Sequence, residues 1–264
     1  MRLALAGVVA LVSVVGYCST RSTNPVTGRA QYVALSPQQE VALGLQAAPE
    51  MARQFGGLHP DDGAQRLIDD IGQRLLNAEP GLAGDYPFEF HLLADPETVN
   101  AFALPGGQIF ITAALFNRLE TRGQLAGVLG HEIGHVLARH SAEQMAKANL
   151  SQGLTGAVAV GASDYADPRM AAAVASQVAG FINLSYGRDA ELESDRLGVR
   201  FLVAAGYDPR AMITVMEVLR DASGGSPGRP EFMSTHPHPE SRIEQLNRMI
   251  AEQFPQGLPE GLEP

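Results

Sequence analysis

The stretch His131-Glu132-Ile133-Gly134-His135 decides the fold of this 264-residue chain. Two histidines four residues apart on an α-helix lie on one face, because four residues turn the helix by about 400°, so both imidazoles can bind one metal ion. Neutral imidazole is a good zinc ligand. Glu132 follows the first histidine, where its carboxylate can take a proton from an activated water. The stretch predicts a zinc site equipped for peptide hydrolysis.

The residues beside this stretch are apolar at helical spacing and predict a buried helix that begins near Thr121. They are Leu125, Val128, Leu129, Ile133, Val136 and Leu137. The alternative is a pair of solvated histidines with an unrelated glutamate. Histidines and carboxylates are costly to bury unless they are paired or bind a metal. The apolar surroundings therefore favour the zinc site.

Composition and charge limit the classes of function. An apolar fraction of 45% and a charged fraction of 18% are typical of a globular protein. The net charge of −10 argues against nucleic acid as a partner and against electrostatic binding to an anionic membrane surface. Cys18 is the only cysteine, which excludes an intrachain disulfide and a cysteine-rich zinc site.

Residues 1–18 predict an export leader. Arg2 precedes an apolar run from Leu3 to Val15, which has the length of a signal-peptide core and is short for a membrane span. The residues before Cys18 resemble a lipoprotein processing box, although Tyr17 stands where a small residue is usual. The alternatives are an ordinary signal sequence and an uncleaved anchor with an incidental cysteine. We expect a bacterial periplasmic or envelope protein whose membrane contact is limited to this leader or to a lipid on Cys18.

Capping residues, prolines, glycines and polar stretches along the rest of the chain predict its organisation. We expect a polar tether over 19–35, a zinc metallopeptidase domain over 36–253 and a flexible tail over 254–264. Ser36 and Gln39 predict a capping box, with Pro37 at the first helical position. Further helices are predicted after Asp61 and Asp62 and at about 188–205, 209–222 and 239–253. Strands are predicted at 88–93, 102–104 and 108–112. We expect soluble helices or a mobile flap over 150–184 and a flexible loop over 223–232.

A catalytic zinc usually takes three protein ligands, so a third must be found. His140 lies five residues after His135, one short of the metzincin spacing, and is expected to point away from the ligand face. Glu191 and Asp195 are four apart and share a helix face, while Glu193 lies about 200° from Glu191 and is expected to be dispensable. One acid can bind the metal while the other orients a ligand histidine. A solvated acidic face is the alternative.

Four blocks in this order resemble the metallopeptidase family of the CAAX prenyl endopeptidase and the HtpX-type membrane peptidases. They are Asn100–Gly107, His131–Val136 with His140, Glu191–Asp195, and Ser234–Pro237 with Arg242. The resemblance implies that Glu191 is the third zinc ligand and Asp195 its second-sphere acid. It also implies a gluzincin fold, mostly α with a small β-sheet beside the zinc helix. Because no spanning helix is predicted after the leader, the chain looks like an exported branch, which the segment Asn24–Arg29 also resembles.

The resulting hypothesis is a zinc-dependent endopeptidase that hydrolyses misfolded or misassembled envelope proteins. One Zn²⁺ held by His131, His135 and Glu191 would activate a water, with Glu132 as general base. Candidates for the oxyanion donor are His236, Tyr186 and Arg188. His236 could instead block the zinc. The strand Gln108–Thr112 is expected either to bind substrate as an added strand or to be an ordinary core strand.

A second hypothesis is a chaperone or adaptor of envelope assembly with a closed structural zinc site. Four protein ligands would favour it, and an open position for water would favour an enzyme. Glu132 favours the enzyme, because a structural site needs no base. The absence of a His-rich tract argues against zinc storage.

Overall fold

The computed structural model describes residues 2–84, 86–162, 186–223, 231–236 and 239–264. The helices are α1 Arg2–Ser19, α2 Pro37–Gln54, α3 Asp62–Ala78, α4 Pro80–Ala83, α5 Ala113–Phe116, α6 Arg122–Leu137, α7 His140–Ala162, α8 Arg188–Ala204, α9 Ala211–Ser223, α10 Glu231–Thr235 and α11 Pro239–Gln253. The strands are β1 Arg21–Thr23, β2 Ala30–Tyr32, β3 Glu89–Leu93, β4 Ala101–Ala103 and β5 Gln108–Thr112. The expected flap beyond residue 162 and loop at 224–230 lie outside the described residues.

Helix α6, which carries the two motif histidines, is the centre of the molecule. Its residues from Gly123 to Leu137 are all buried, and it packs chiefly against α8 and also against α3, α9 and the sheet. Glycines permit this close approach. A Cβ at Gly134 would lie 2.9 Å from the carbonyl oxygen of Ser194 on α8. The two helices that carry the candidate ligands therefore lie side by side. The fold is mostly α with a small sheet, as predicted.

Side-chain caps fix three helix starts, and the one at Ser36 is the capping box that the sequence predicts. Thr121 caps α6 in a reciprocal capping box with Gln124, and Ser36 caps α2 in the same way with Gln39. Asp61 caps α3 by accepting hydrogen bonds from two backbone N–H groups. These local bonds satisfy donors that a helix otherwise leaves free at its first turn.

The small sheet has the order β3-β5-β4, with β3 parallel and β4 antiparallel to β5. All five residues of β5 are buried. The hypothesis that Gln108–Thr112 binds substrate as an added strand is therefore wrong, because both hydrogen-bonding edges of this strand already have partners. The strand belongs to the core beside α6.

The polar tether expected over 19–35 is replaced by a packed β-hairpin, residues 21–32, which we call the amino-terminal hairpin. Asn24 shapes its turn by accepting hydrogen bonds from the backbone N–H groups of Val26 and Thr27, and Gly28 adopts a φ of 71°. The Asn24 amide donates to the carbonyl of Leu137, the last residue of α6, at 2.9 Å. Composition suggested a linker because the residues are polar, but their polar groups have partners in the fold.

Both ends of the chain make contacts with the rest of the fold. Helix α1 packs along α7 and leaves many apolar side chains exposed, including Leu3 at 82%. Among the described residues, no helix is long and apolar enough to cross a bilayer. In the tail expected to be flexible, the Glu263 carboxylate lies 2.6 Å from Arg74 and the Pro264 carbonyl accepts from the Gly123 N–H. These partners are remote in sequence, so composition alone did not indicate them.

Candidate metal centre

Four buried side chains converge at one point between α6 and α8. His131 and His135 come from α6, Glu191 from the first turn of α8, and His236 from the residue after α10. Each offers one donor atom, and these atoms all lie within 4.8 Å of one another. The Nε2 atoms of the two α6 histidines are 3.0 Å apart, and His236 Nδ1 is 3.0 Å from Glu191 Oε1.

The donor set fits a zinc ion. Tetrahedral zinc with bonds of about 2.0–2.1 Å places its ligand atoms about 3.4 Å apart, and Glu191 lies 3.4 Å from His135 Nε2 and 3.6 Å from His131 Nε2. Among the described residues, both oxygens of Glu132 and Nε2 of His236 are buried without a hydrogen-bond partner. Buried polar groups of this kind are costly unless a metal or substrate satisfies them.

The structure brings together three residues that the sequence places on the metal, His131, His135 and Glu191. His236 joins them as a fourth donor, although the sequence left its role open between blocking and assisting. His140, which was expected to point away from the ligand face, lies outside the four-donor cluster. Helical phase was sufficient for the two α6 histidines, since both project from one buried helix face.

His131 is oriented by a carboxylate on the opposite side of its ring. Its Nδ1 lies 2.9 Å from Asp195 Oδ1, which directs Nε2 at the cluster. Asp195 is buried, and burial raises its pKa, but Arg242 and His131 outweigh that effect and hold the pKa below the usual value. An ionised Asp195 at this distance can accept a proton from His131 Nδ1, which is the position where the resemblance implies a carboxylate that orients a ligand histidine.

Arg242 is a residue of this centre that the sequence did not assign a role. It comes from α11 and binds both Asp195 oxygens, through Nε at 2.9 Å and Nη2 at 2.5 Å. Its Nη1 lies 2.8 Å from Glu191 Oε2. One guanidinium thus neutralises two buried carboxylates, which explains how α8 can bury both acids. The only sequence signal for Arg242 was its place in the last block of the resemblance.

Substitution of Asp195 by asparagine tests this orientation. We expect Asp195→Asn to lower zinc affinity by about 10- to 100-fold, because the neutral amide accepts the His131 proton less strongly. Chelator competition measures the affinity. Asp189→Asn is the matched control, since Asp189 lies exposed on the first turn of the same helix. Equal zinc affinity in Asp195→Asn and the wild type would show that His131 needs no carboxylate partner.

His135 is held from its other side by His140 and Tyr186. Its Nδ1 lies 2.9 Å from His140 Nδ1, and the Tyr186 ring stacks on it at a centroid distance of 4.1 Å. A tight turn between α6 and α7 makes the first contact possible. Arg139 adopts a φ of 60°, rare for a residue with a side chain, and the buried carboxylate of Glu40 binds its guanidinium.

Glu193 has a role that its helical phase did not suggest. It points away from the metal donors, as expected, but its Oε2 lies 2.9 Å from His140 Nε2. Burial raises the pKa of Glu193, but hydrogen bonds from His140 and the nearby Arg29 outweigh it and hold the pKa below the usual value. Glu193 therefore contacts His140, which in turn contacts His135, and a role in supporting the centre is open to it alongside the expectation that it is dispensable.

Glu132 has the environment of a general base. Burial raises the pKa of its fully buried carboxyl above the usual value, which strengthens it as a proton acceptor near neutral pH. Its Oε1 lies 3.6 Å from His236 Nε2. Burial acts against the charge of Glu191 as well, but His236 and Arg242 outweigh it and hold the pKa of Glu191 well below the usual value. The two buried glutamates thus differ, because the environment of Glu132 favours its protonated form and that of Glu191 favours its ionised form.

The other two candidates for an oxyanion donor are placed differently from His236. The Tyr186 hydroxyl lies 2.9 Å from Ser141 Oγ, and burial raises the pKa of Tyr186, so it remains a neutral phenol. Arg188 lies exposed at the start of α8, where it lines a cavity with His140 and Glu143. Of the three candidates, His236 is the one that reaches the donor cluster.

Comparison with known proteins places these features in a family. A sequence model described as Peptidase family M48 matches residues 63–250, which include all four donors. The "Beta-barrel assembly-enhancing protease" of Escherichia coli (strain K12) is 34% identical over 235 residues, covering 86% of this chain and 47% of that protein. The "Metalloendopeptidase OMA1, mitochondrial" of Bos taurus is 29% identical over 252 residues, covering 91% of this chain and 48% of that protein. The chain spans about half the length of these curated relatives.

Proposed function

This chain belongs to peptidase family M48, and on that premise we propose that it is a zinc-dependent endopeptidase of the bacterial cell envelope. The observation that carries the proposal is the buried cluster of His131, His135 and Glu191 beside a carboxylate, Glu132, that binds none of them. A structural zinc site needs no further buried carboxylate beside its ligands, whereas hydrolysis requires a base.

In the proposed reaction, His131, His135 and Glu191 hold the metal. Zinc bound there would polarise a water molecule and the scissile carbonyl. Glu132 takes the proton from the attacking water and delivers it to the leaving amine. Asp195 and Arg242 hold His131 in the tautomer that keeps its Nε2 free for the metal. Tyr186 and the helix packing keep the His135 ring from turning.

Substrate and location are proposed from the relatives and from the leader. Similarity to a protease named for β-barrel assembly supports envelope proteins as substrates, and we propose that misfolded or misassembled polypeptides are cleaved. The export leader that the sequence predicts over residues 1–18 supports a periplasmic location. Cys18 is exposed, which is compatible with a lipid at this position. Zn²⁺, one ion per chain, is the proposed cofactor.

A cleavage assay tests the proposal. Purified zinc-loaded protein is incubated with an unfolded outer-membrane protein and with the same protein in its folded state. We expect cleavage of the unfolded substrate that a zinc chelator abolishes and added zinc restores. Persistent cleavage after zinc removal would contradict the proposed chemistry, and equal cleavage of folded substrate would contradict the proposed selectivity.

His236, the fourth donor, is the observation that favours a second candidate function, a chaperone or adaptor with a closed zinc site. With His236 on the metal, the site would have four protein ligands, as in structural zinc sites. This supports a chaperone or adaptor whose zinc site is closed. We propose instead that His236 is a removable block on an enzyme. It sits on a segment outside the two helices that carry the other donors, so it can leave the metal without disturbing them.

Removal of the His236 side chain separates the two functions. We expect His236→Ala to raise basal peptide cleavage by about 10-fold, as it would if the blocked state holds about nine-tenths of the molecules. Initial rates on an unfolded protein measure the effect, and His236→Ala combined with Glu132→Gln is the inactive control. A fall in turnover of about 10²- to 10³-fold would identify His236 as an oxyanion donor. Unchanged cleavage with lower thermal stability would leave only a structural role.

A further inference from the structure

We propose that Arg29 of the amino-terminal hairpin is a positioning residue of the metal centre, acting on His135 through Glu193 and His140. The inference rests on the zinc site of the proposed function. It concerns a segment that precedes the family match at residues 63–250. The hairpin would thus be part of the peptidase site and would not be a linker to it.

A continuous series of polar contacts links the hairpin to the metal donors. Arg29 Nε donates to Glu193 Oε2 at 3.0 Å. The same oxygen lies 2.9 Å from His140 Nε2. His140 Nδ1 lies 2.9 Å from His135 Nδ1, and His135 Nε2 is in the donor cluster. Each contact has ordinary hydrogen-bond length, so the series can fix the orientation of every ring in it.

Only one arrangement of protons satisfies all these contacts when His135 binds a metal. Its Nε2 must then carry a free lone pair, so Nδ1 carries the proton. That proton is donated to His140 Nδ1, which must be an acceptor. His140 is therefore protonated on Nε2 and donates to the Glu193 carboxylate. Glu193 Oε2 accepts this proton and also accepts from Arg29 Nε, so one oxygen joins the hairpin to the imidazole series.

The hairpin is built to hold Arg29 in place. Asn24 fixes the turn internally and also bonds to the carbonyl of Leu137 at the end of α6. The remaining Arg29 nitrogens bind Glu143 on α7, with Nη2 at 2.5 Å. Arg29 therefore bridges α7 and α8 from a turn that is itself attached to α6. These are the three helices whose relative positions set the His135 side of the centre.

The two metal histidines are supported in parallel ways. His131 is backed by Asp195, whose charge Arg242 of α11 balances. His135 is backed by His140 and Glu193, whose charge Arg29 balances. In both cases an arginine from a separate part of the chain completes the series. The parallel supports a role for Arg29 at the metal, beyond a surface ion pair with Glu143.

Zinc affinity and histidine tautomers test the proposal in the full-length protein. Chelator competition gives the zinc dissociation constants of the wild type, Arg29→Gln, Glu193→Gln and the double variant. Arg21→Gln is the matched control, an exposed arginine on β1 of the same hairpin. Nitrogen NMR of histidine-labelled, zinc-loaded protein reports which ring nitrogen of His135 and His140 carries the proton. Thermal unfolding of the zinc-free proteins monitors the fold separately.

We expect Arg29→Gln to weaken zinc binding by about 10-fold, the lower end of the range for second-sphere partners. The double variant should bind zinc no more weakly than Glu193→Gln alone, because both substitutions interrupt the same series of contacts. His140 should lose its single Nε2-protonated form in both variants, and Arg21→Gln should match the wild type.

Unchanged zinc affinity in Arg29→Gln, or additive losses in the double variant, would overturn the inference. A lower unfolding temperature with wild-type zinc affinity and tautomers would reduce Arg29 to a structural residue and overturn it too. Failure of the proposed function looks different. A wild type that binds zinc and loses affinity in Arg29→Gln, yet cleaves no peptide, would contradict the endopeptidase alone. A wild type that binds no zinc would overturn both.

Discussion

Replacement of Glu132 by glutamine is expected to abolish measurable peptide cleavage while zinc content stays near one ion per chain. General base catalysis contributes about 10²- to 10⁴-fold to such reactions, and glutamine cannot accept the proton. Zinc should remain because Glu132 is outside the donor cluster of His131, His135, Glu191 and His236. Metal analysis of the purified variant and initial rates on an unfolded substrate measure the two effects.

His131→Ala is the matched comparison for this experiment, because it removes a donor from the same helix. It should lose zinc and activity together. If Glu132→Gln loses zinc as fully as His131→Ala does, Glu132 is a ligand and its assignment as the base is wrong. Unfolding temperatures of the zinc-free proteins show whether the fold is kept, since glutamine has nearly the size of the buried glutamate that it replaces.

Replacement of Glu191 by alanine is expected to remove both zinc and activity, with a larger loss of affinity than the about 10- to 100-fold of a second-sphere change. The variant loses the one carboxylate ligand, and Arg242 keeps Asp195 as a partner, so the guanidinium is not left without a counter-ion. Zinc competition and cleavage assays measure the result.

Glu193→Ala is the control for Glu191→Ala, two residues along the same helix. We expect it to weaken zinc binding by about 10-fold and to recover cleavage at saturating zinc, because its carboxylate touches His140 and is outside the donor cluster. Equal zinc retention in the two variants would contradict the assignment of Glu191 as a ligand. Equal and complete loss in both would show that the His140 side of the site is as essential as a ligand.

Much of the fold could be predicted because its signals are local. The capping residues Ser36, Asp61 and Thr121 each bond to a backbone N–H within three residues, so a short window of sequence contains the whole interaction. Glycines at 106 and 107 marked the turn before β5, where φ reaches 83° and 108°. Such features depend on neighbours along the chain, which a single sequence displays directly.

The hairpin, the tail and β5 could not be predicted in the same way. Polar composition suggested a tether at 19–35, but Asn24 bonds to Leu137 and Arg29 to Glu193, residues more than a hundred positions away. The sequence of β5 was compatible with a strand that binds substrate or with an ordinary core strand, and only its two neighbours in the sheet exclude substrate addition. These outcomes depend on which distant elements meet, and that information is not in local periodicity.

The sequence by itself determined the histidine pair and its glutamate, because a helix with 3.6 residues per turn places residues four apart on one face. It also determined that Glu191 and Asp195 share a face of a second helix. Helical phase left open which of these acids meets the metal donors, the resemblance implied Glu191, and the tertiary structure places Glu191 among the donors and Asp195 beside His131 Nδ1. It also decided that His236, Arg242 and Arg29 converge on the same centre from three separate segments. The physical reason is that ligand geometry needs donor atoms within a few ångströms, and only the packing of α6 against α8 and their neighbours sets distances of that size.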